Sequence, residues 1–254
     1  DKDTQEFVVN VTTNNTKPDR GYEIGSLTSN PEKIKITGPT SLINKIDKVN
    51  ASIDVDGATE DITTEKDVKI IDKNGEEFPD SDMSYLNVSR VYVTAKLWKV
   101  QADVKIKAGY SGSPKSGYQV ESVSTTPNVV SVAGSEEGLA TLKEQNNTIT
   151  IPDYVADISD RDSDFEEKIN ISDYLPDGLK LTSDSSEDMF IRVNVLPIGS
   201  SVCEVPTKNI VVNHAPDGMQ VSFDTANIEV RVQKTDSSLD DLTEDQIKAS
   251  IDLS

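Results

Sequence analysis

The chain repeats itself at an interval of 96 residues. A turn containing Pro, Gly and Tyr recurs, followed by a strand that begins with Pro and by a later pair of apolar residues. These landmarks lie at Pro18, Gly21, Pro31, Gly38 and Ile53 in the first copy, and at Pro114, Gly117, Pro127, Gly134 and Ile149 in the second. Because all five keep one offset without a gap, the sequence predicts tandem folding units of similar structure.

A third, shorter copy follows. Pro216-Asp-Gly218 takes the place of the turn, residues 228–232 take the place of the strand, and Ile251-Asp-Leu253 corresponds to Ile53-Asp-Val55. The predicted repeats are therefore residues 1–100, 101–200 and 201–254, with the third cut short, as expected for a piece of a longer protein. Neither junction is long or rich in Gly and Ser, which predicts that the domains follow one another in a stiff rod.

Within each copy the apolar pattern is typical of β-strands. Apolar residues alternate, or nearly so, in residues 7–11, 91–93, 104–106 and 191–195. Helical spacing is confined to short stretches at 38–46 and 237–242. Residues 72–75 (Asp-Lys-Asn-Gly) and 175–178 (Leu-Pro-Asp-Gly) carry the Asn-Gly and Pro-Asp-Gly signals of tight turns. The predicted fold class is mostly β, as tandem domains with one or two short helical turns each.

Charge and composition argue against several functions. The chain has 25 Lys and Arg against 45 Asp and Glu, a net charge of −20. Such a chain repels phosphate backbones, so we expect no nucleic-acid partner. No apolar run is long enough to span a bilayer. Aromatic residues make up 5% of the chain, too few to suggest a stacking platform or a carbohydrate cleft.

The chain has one Cys and one His, which limits its chemistry. Cys203 has no partner for an intrachain disulfide, and Cys203 with His214 cannot supply the three or four ligands that zinc needs. We interpret them as an unreactive strand cysteine and an exposed loop histidine. Paired carboxylates would need a cleft to act on glycosides. The chain is therefore predicted not to be an enzyme, with no catalytic, cofactor-binding or metal-binding residues.

The acidic segment 157–167, which runs from Asp157 to Glu167, admits two interpretations. Asp160-x-Asp162-x-Asp164 begins like a calcium-binding loop. Phe165 stands where that loop needs Gly, and Ile171 stands where it needs a bidentate Glu. The repeat spacing places about four extra residues in this part of the second copy. We therefore predict a solvated insertion, with a calcium site as the alternative.

Trp98, the single tryptophan, lies next to the first repeat junction. A ring at such a junction is expected to pack between consecutive domains, because one side of a large ring is readily buried there. The alternative interpretation is an anchor for a binding partner.

The landmarks resemble the YbbR repeat. That module has a Gly-Tyr pair, a Pro-initiated strand with alternating Ile or Val before Gly, a short helix, and a strand ending in Ile/Val-Asp-Leu/Val. Residues 50–55 and 248–253 fit this last element, whereas residues 146–151 lack its Asp. The second copy is therefore the most divergent.

The resemblance carries expectations about function. In Gram-positive bacteria, such repeats follow an N-terminal membrane helix, lie outside the cell and belong to proteins that bind a membrane diadenylate cyclase. The resemblance implies a soluble, extracytoplasmic part of a membrane-anchored, non-enzymatic regulator of cyclic di-AMP synthesis, with the cyclase as partner and no small-molecule substrate. The partner-binding surface is left unassigned. The alternative function is a cell-surface spacer or adhesin built of β repeats.

Overall fold

The computed structural model describes residues 1–233 and 242–254, and β-strands are its main regular structure. The strands are β1 (Lys2–Thr12), β2 (Tyr22–Asn30), β3 (Lys33–Pro39), β4 (Ile46–Ser52), β5 (Ile62–Lys66), β6 (Lys69–Asp72), β7 (Val91–Ala108), β8 (Tyr118–Thr126), β9 (Val129–Gly134), β10 (Thr148–Ile151), β11 (Phe165–Asn170), β12 (Leu179–Leu181), β13 (Asp188–Pro197), β14 (Ser200–Pro206), β15 (Val211–Asn213), β16 (Asn227–Gln233) and β17 (Ser250–Asp252). The helices are α1 (Thr40–Ile43), α2 (Asp80–Met83) and α3 (Glu136–Glu144). The predicted mostly β fold class is confirmed.

The first repeat forms one sheet from its early strands, in the order β3-β1-β4-β6. Strand β1 runs antiparallel to β3 and parallel to β4. Alternate residues of β3 point inward, so Ile34 and Ile36 are buried while their neighbours face outward. This sheet supplies much of the apolar core of the repeat.

The other strands of the first repeat pair with the first half of β7. Strand β2 pairs with residues 92–99 and β5 with residues 91–95, both antiparallel. Alternation along β7 buries Val91, Val93 and Ala95 completely. These three residues join the same core cluster as Ile34 and Ile36 of β3.

The strand pairing recurs in the second repeat. Strands β11 and β8 flank β13 as β5 and β2 flank β7, and β8 begins and ends 96 residues after β2. The irregularity in pairing at Gly25 recurs at Glu121. The Pro-x-x-Gly turn also recurs, since Gly21 and Gly117 both have φ of +88°, a conformation that favours glycine.

Burial follows the repeat as well. The apolar pair of the late strand is Ile53 and Val55 in the first repeat, and both are at most 1% exposed. The matching pair Ile149 and Ile151 is equally buried. The late apolar pair that recurs in the sequence therefore lies in the core in both copies.

The third repeat pairs its strands in the same way but leaves them more exposed. Strand β14 pairs antiparallel with β16, and β15 pairs parallel with β17, as β1 pairs with β3 and β4. Ile251 and Leu253, which correspond to Ile53 and Val55, are 37% and 42% exposed.

Contacts group the chain into two compact units. One contains residues 1–105, 129–149 and 171–187; the other contains residues 106–128, 150–170 and the described part of 188–254. The first unit thus combines the first repeat with two segments of the second, because β7 continues past residue 100 and pairs with β9. The repeat boundaries near residues 100 and 200, and the rod-like order of the repeats, stay predictions.

The helices are few and short. Helix α1 forms inside the predicted stretch 38–46, while the stretch 237–242 lies almost entirely outside the described residues. Helix α3 has nine residues, more than the one or two turns predicted. Ser135 caps its start by accepting a hydrogen bond from the Gly138 amide. No helix in the described ranges has the length and the apolar run needed to cross a bilayer.

Candidate partner-binding groove

A groove of 390 Å³ opens beside Trp98 in the first compact unit. Its apolar surface comes from Tyr22, Leu97, Trp98 and Leu139, and all four side chains are half-buried. One wall is built by β2 and β7, and the other by the end of β9 and the start of α3. Residues of the first and second repeats therefore line the same groove.

Trp98 is positioned by Gly25. The pairing of β2 with β7 skips Gly25, since Ile24 faces Leu97 and Ser26 faces Lys96. A Cβ atom at Gly25 would overlap the indole atoms Cδ1, Nε1 and Cε2, so the five-membered ring lies directly over the glycine. Trp98 thus packs within its own repeat while it borders residues of the next one.

The second repeat has no equivalent open ring. Strand pairing places Leu196 opposite Gln119, as it places Trp98 opposite Glu23. Leu196 is only 2% exposed. At the position of Trp98, the second repeat therefore has a buried aliphatic side chain instead of a half-buried ring.

The polar groups of the groove are mainly carboxylates. Asp61 lies at its edge and accepts a hydrogen bond from the Leu97 amide at 2.8 Å. The remaining charged residues of the lining are exposed: Glu60, Glu136, Glu137, Lys96 and Lys99. Four carboxylates face two ammonium groups, so the groove is acidic.

Lys180 and Glu23 tie second-repeat residues to β2 inside the same unit. The Lys180 ammonium donates to the Ile24 carbonyl oxygen and lies 3.6 Å from the Glu23 carboxylate. Glu23 also accepts a hydrogen bond from the Ser183 amide at 2.8 Å. These contacts hold the backbone next to Gly25 and so help to fix the floor under Trp98.

The acidic segment 157–167 is not arranged as a set of metal ligands. Asp162 forms an ion pair of 2.9 Å with Lys115, whose hydrogen bond lowers the pKa of that carboxyl. Asp157 accepts hydrogen bonds from the hydroxyl and amide of Ser159, which lower its pKa as well. Among the residues that the structure describes, no group of three or more His, Cys, Asp or Glu could hold a metal ion.

The insertion predicted for this segment is present, but it is not solvated throughout, since Ile158 is completely buried. Residues 56–61 connect Val55 to β5, whereas residues 152–164 connect the matching Ile151 to β11. The second connection is therefore seven residues longer, more than the four that the repeat offsets indicated. Strand pairing agrees, because Phe165 lies opposite Val193 as Ile62 lies opposite Ala95.

Asp164 is the centre of a charge cluster that the sequence did not reveal. Its carboxylate accepts hydrogen bonds from Arg231, from Arg192 at 3.2 Å and from the Val195 amide at 3.0 Å. Glu229 lies 3.5–3.6 Å from both arginines. The chain has only five arginines, so each one is a candidate partner for a carboxylate. The sequence did not show that two of them meet at Asp164, because Arg192 and Arg231 lie far from it along the chain.

The environment of Asp164 favours its charged form. Partial burial raises the pKa of Asp164, but the hydrogen bonds from Arg231, Val195 and Arg192 outweigh this effect. The pKa therefore lies below the ordinary value of 3.8. The cluster links β16 of the third repeat to β13 of the second within one compact unit.

Cys203 and His214 lie where the sequence placed them, in a strand and in an exposed loop. Cys203 is half-buried in β14 opposite Val230. His214 follows β15, and its Nδ1 atom lies 2.9 Å from Asp252 Oδ1. The structure assigns neither residue to the Trp98 groove.

Comparisons with known proteins give a family match, a curated relative and a similar solved structure. Residues 8–94 match the family described as YbbR-like protein. The whole chain aligns at 25% identity over 257 residues with the CdaA regulatory protein CdaR of Bacillus subtilis, and it spans about half of that protein's length. A crystal structure of a YbbR-like protein from Streptococcus pneumoniae is 17% identical, with 78% of this chain and 97% of that chain covered and a TM-score of 0.32.

The family match covers the strands that build the first core, from β1 to the first half of β7. The resemblance inferred from the sequence landmarks is therefore confirmed, and the chain carries a YbbR-like domain.

Proposed function

We propose that the chain is a non-enzymatic, extracytoplasmic regulatory module of a membrane-anchored protein that modulates a diadenylate cyclase. The alignment with CdaR along the entire chain carries this proposal, because CdaR is named as a regulatory protein of CdaA. The alignment extends over the third repeat and the acidic insertion, and not only over the residues that match the family model.

The site chemistry supports a binding role over a catalytic one. The groove beside Trp98 combines aromatic and apolar side chains with exposed charges, which is the composition of a recognition surface. The module is therefore proposed to act by contact with its partner.

The test is the effect of the full-length protein on cyclic di-AMP. The cyclase is expressed with the full-length protein, with a version that lacks residues 1–254, or alone, and cyclic di-AMP is measured in each strain. A level that depends on these residues supports the proposal. Equal levels in all three strains, with the cyclase equally abundant, contradict it and favour a spacer or adhesin. A strain with an inactive cyclase gives the background.

A further inference from the structure

We propose that the Trp98 groove binds a segment of a partner protein that carries Arg or Lys side chains. This inference adds to the proposed function the chemistry of the segment that is bound. It rests on the proposed function only for which protein carries that segment. The groove, its ring and its charges all lie in one compact unit.

The aromatic ring is the first element of the site. The indole of Trp98 lies over Gly25 on one side and lines the groove, so the ring is fixed in place and still reachable. The face of an indole carries negative electrostatic potential and attracts cations more strongly than that of Tyr or Phe. A guanidinium or ammonium group that enters the groove can stack there.

The charge of the groove selects the same ligand. Glu60, Asp61, Glu136 and Glu137 line the same groove as the ring, and Lys96 and Lys99 offset only half of their charge. The net charge of −20 adds a field that attracts cations and repels phosphate or anionic lipid. Arg is favoured over Lys, because its planar group can stack on a ring while it donates to carboxylates.

The size of the groove limits how much of a partner it holds. A volume of 390 Å³ is near the lower end of the roughly 300–1,000 Å³ of small-ligand sites. It accommodates one or two side chains of an extended segment and not a folded domain. A short basic peptide is therefore an adequate probe.

The experiment titrates residues 1–254 with a capped tetra-arginine peptide and follows the emission of Trp98, the single tryptophan of the chain. Binding is also measured by anisotropy of the labelled peptide, which does not depend on the indole. A saturable change in both signals at low salt, with tetra-lysine weaker and tetra-glutamate without effect, supports the site. No saturable change with tetra-arginine overturns it.

Two variants separate the groove from the general negative field. Trp98→Leu introduces the residue found at the matching position of the second repeat and should weaken binding about fivefold. Glu136→Gln with Glu137→Gln should weaken it roughly two- to tenfold. Glu166→Gln with Glu167→Gln removes the same charge from exposed positions on β11 and should change the affinity less than about twofold.

The outcomes also distinguish this inference from the proposed function. If the two double variants weaken peptide binding equally, the peptide responds only to the net charge of the protein. That result overturns the groove as a binding site. Trp98→Phe keeps an aromatic face and should restore part of the affinity, whereas loss equal to that of Trp98→Leu contradicts stacking. If the peptide does not bind while cyclic di-AMP still depends on residues 1–254, only the groove assignment fails.

Discussion

The indole ring of Trp98 lies directly over Gly25, at the point where the pairing of β2 with β7 skips one residue. The absence of a side chain at Gly25 makes room for the ring. At the matching positions of the second repeat, Glu121 is the skipped residue and Leu196 is fully buried. Gly25 and Trp98 thus form a half-buried aromatic surface in the first repeat, at the position where the second repeat has a buried leucine.

Gly25→Ala should displace Trp98. The added Cβ overlaps three ring atoms, and overpacking of this kind costs about 1–3 kcal/mol. We expect a lower midpoint in urea and a shift of Trp98 emission in the native protein. Gly21→Ala is the control: its positive φ costs about 1 kcal/mol, but nothing lies near the new Cβ, so emission should not shift. Native emission unchanged by Gly25→Ala would contradict the contact.

Substitution of the repeated core positions should affect stability according to burial. Ile53→Ala and Ile149→Ala each remove a side chain that is 1% exposed and should cost about 2–5 kcal/mol. Both residues belong to the compact unit that contains Trp98, so urea unfolding followed by its fluorescence reports on both. Ile251→Ala removes a side chain that is 37% exposed and should cost less than about 1 kcal/mol, measured by circular dichroism. Equal costs at the three positions would show that burial does not follow the repeats in this way.

Asp164→Asn should destabilise the second compact unit. The change removes the charge that accepts hydrogen bonds from Arg192 and Arg231 and leaves two guanidinium groups close together. A loss of about 1–3 kcal/mol is expected in thermal or urea unfolding followed by circular dichroism. Asp160→Asn removes the same charge from the same loop and should change stability by less than about 0.5 kcal/mol. Similar effects of both substitutions would rule out a specific role for the arginine cluster.

The contribution of Asp164 should disappear at acid pH. Its pKa is lowered in the folded protein, so its stabilising effect is fully present above the unfolded pKa of about 3.9 and is lost as the pH falls through the folded value. Unfolding free energies of the parent protein and Asp164→Asn should therefore differ at neutral pH and converge below about pH 4. A difference that stays constant down to acid pH would show that the carboxylate charge is not its cause.

Calcium should not stabilise the protein. Asp162 and Asp164 are engaged by Lys115 and by two arginines, and a calcium ion would have to displace these cations. We expect a shift of the melting temperature of less than about 1 °C on calcium addition at millimolar concentration. Magnesium and a chelator serve as controls. A calcium-specific rise would restore the interpretation of the acidic segment as a calcium loop.

The strand architecture could be predicted because its signals are local and recur. Alternating apolar residues select β structure, and the common offset identified Ile53 and Ile149 as equivalent before their burial was known. The turns at Gly21 and Gly117 followed from the same offset, and so did the presence of an insertion before β11, although it is longer than the four residues indicated. The longer helix α3 was missed because its apolar spacing is weak, although Ser135 and the two glutamates after it are a start signal.

The sequence by itself determined the repeat, the strand-rich fold and the acidic character of the chain, since each depends on composition or on fixed spacing. Only the tertiary structure placed Gly25 under Trp98, brought residues 134–139 to the same groove and joined Asp164 to Arg231. These contacts join residues that lie about 40 to 110 positions apart in the chain, and one of them arises at an irregularity in strand pairing. A local sequence pattern does not specify such contacts, because they depend on how distant segments pack together.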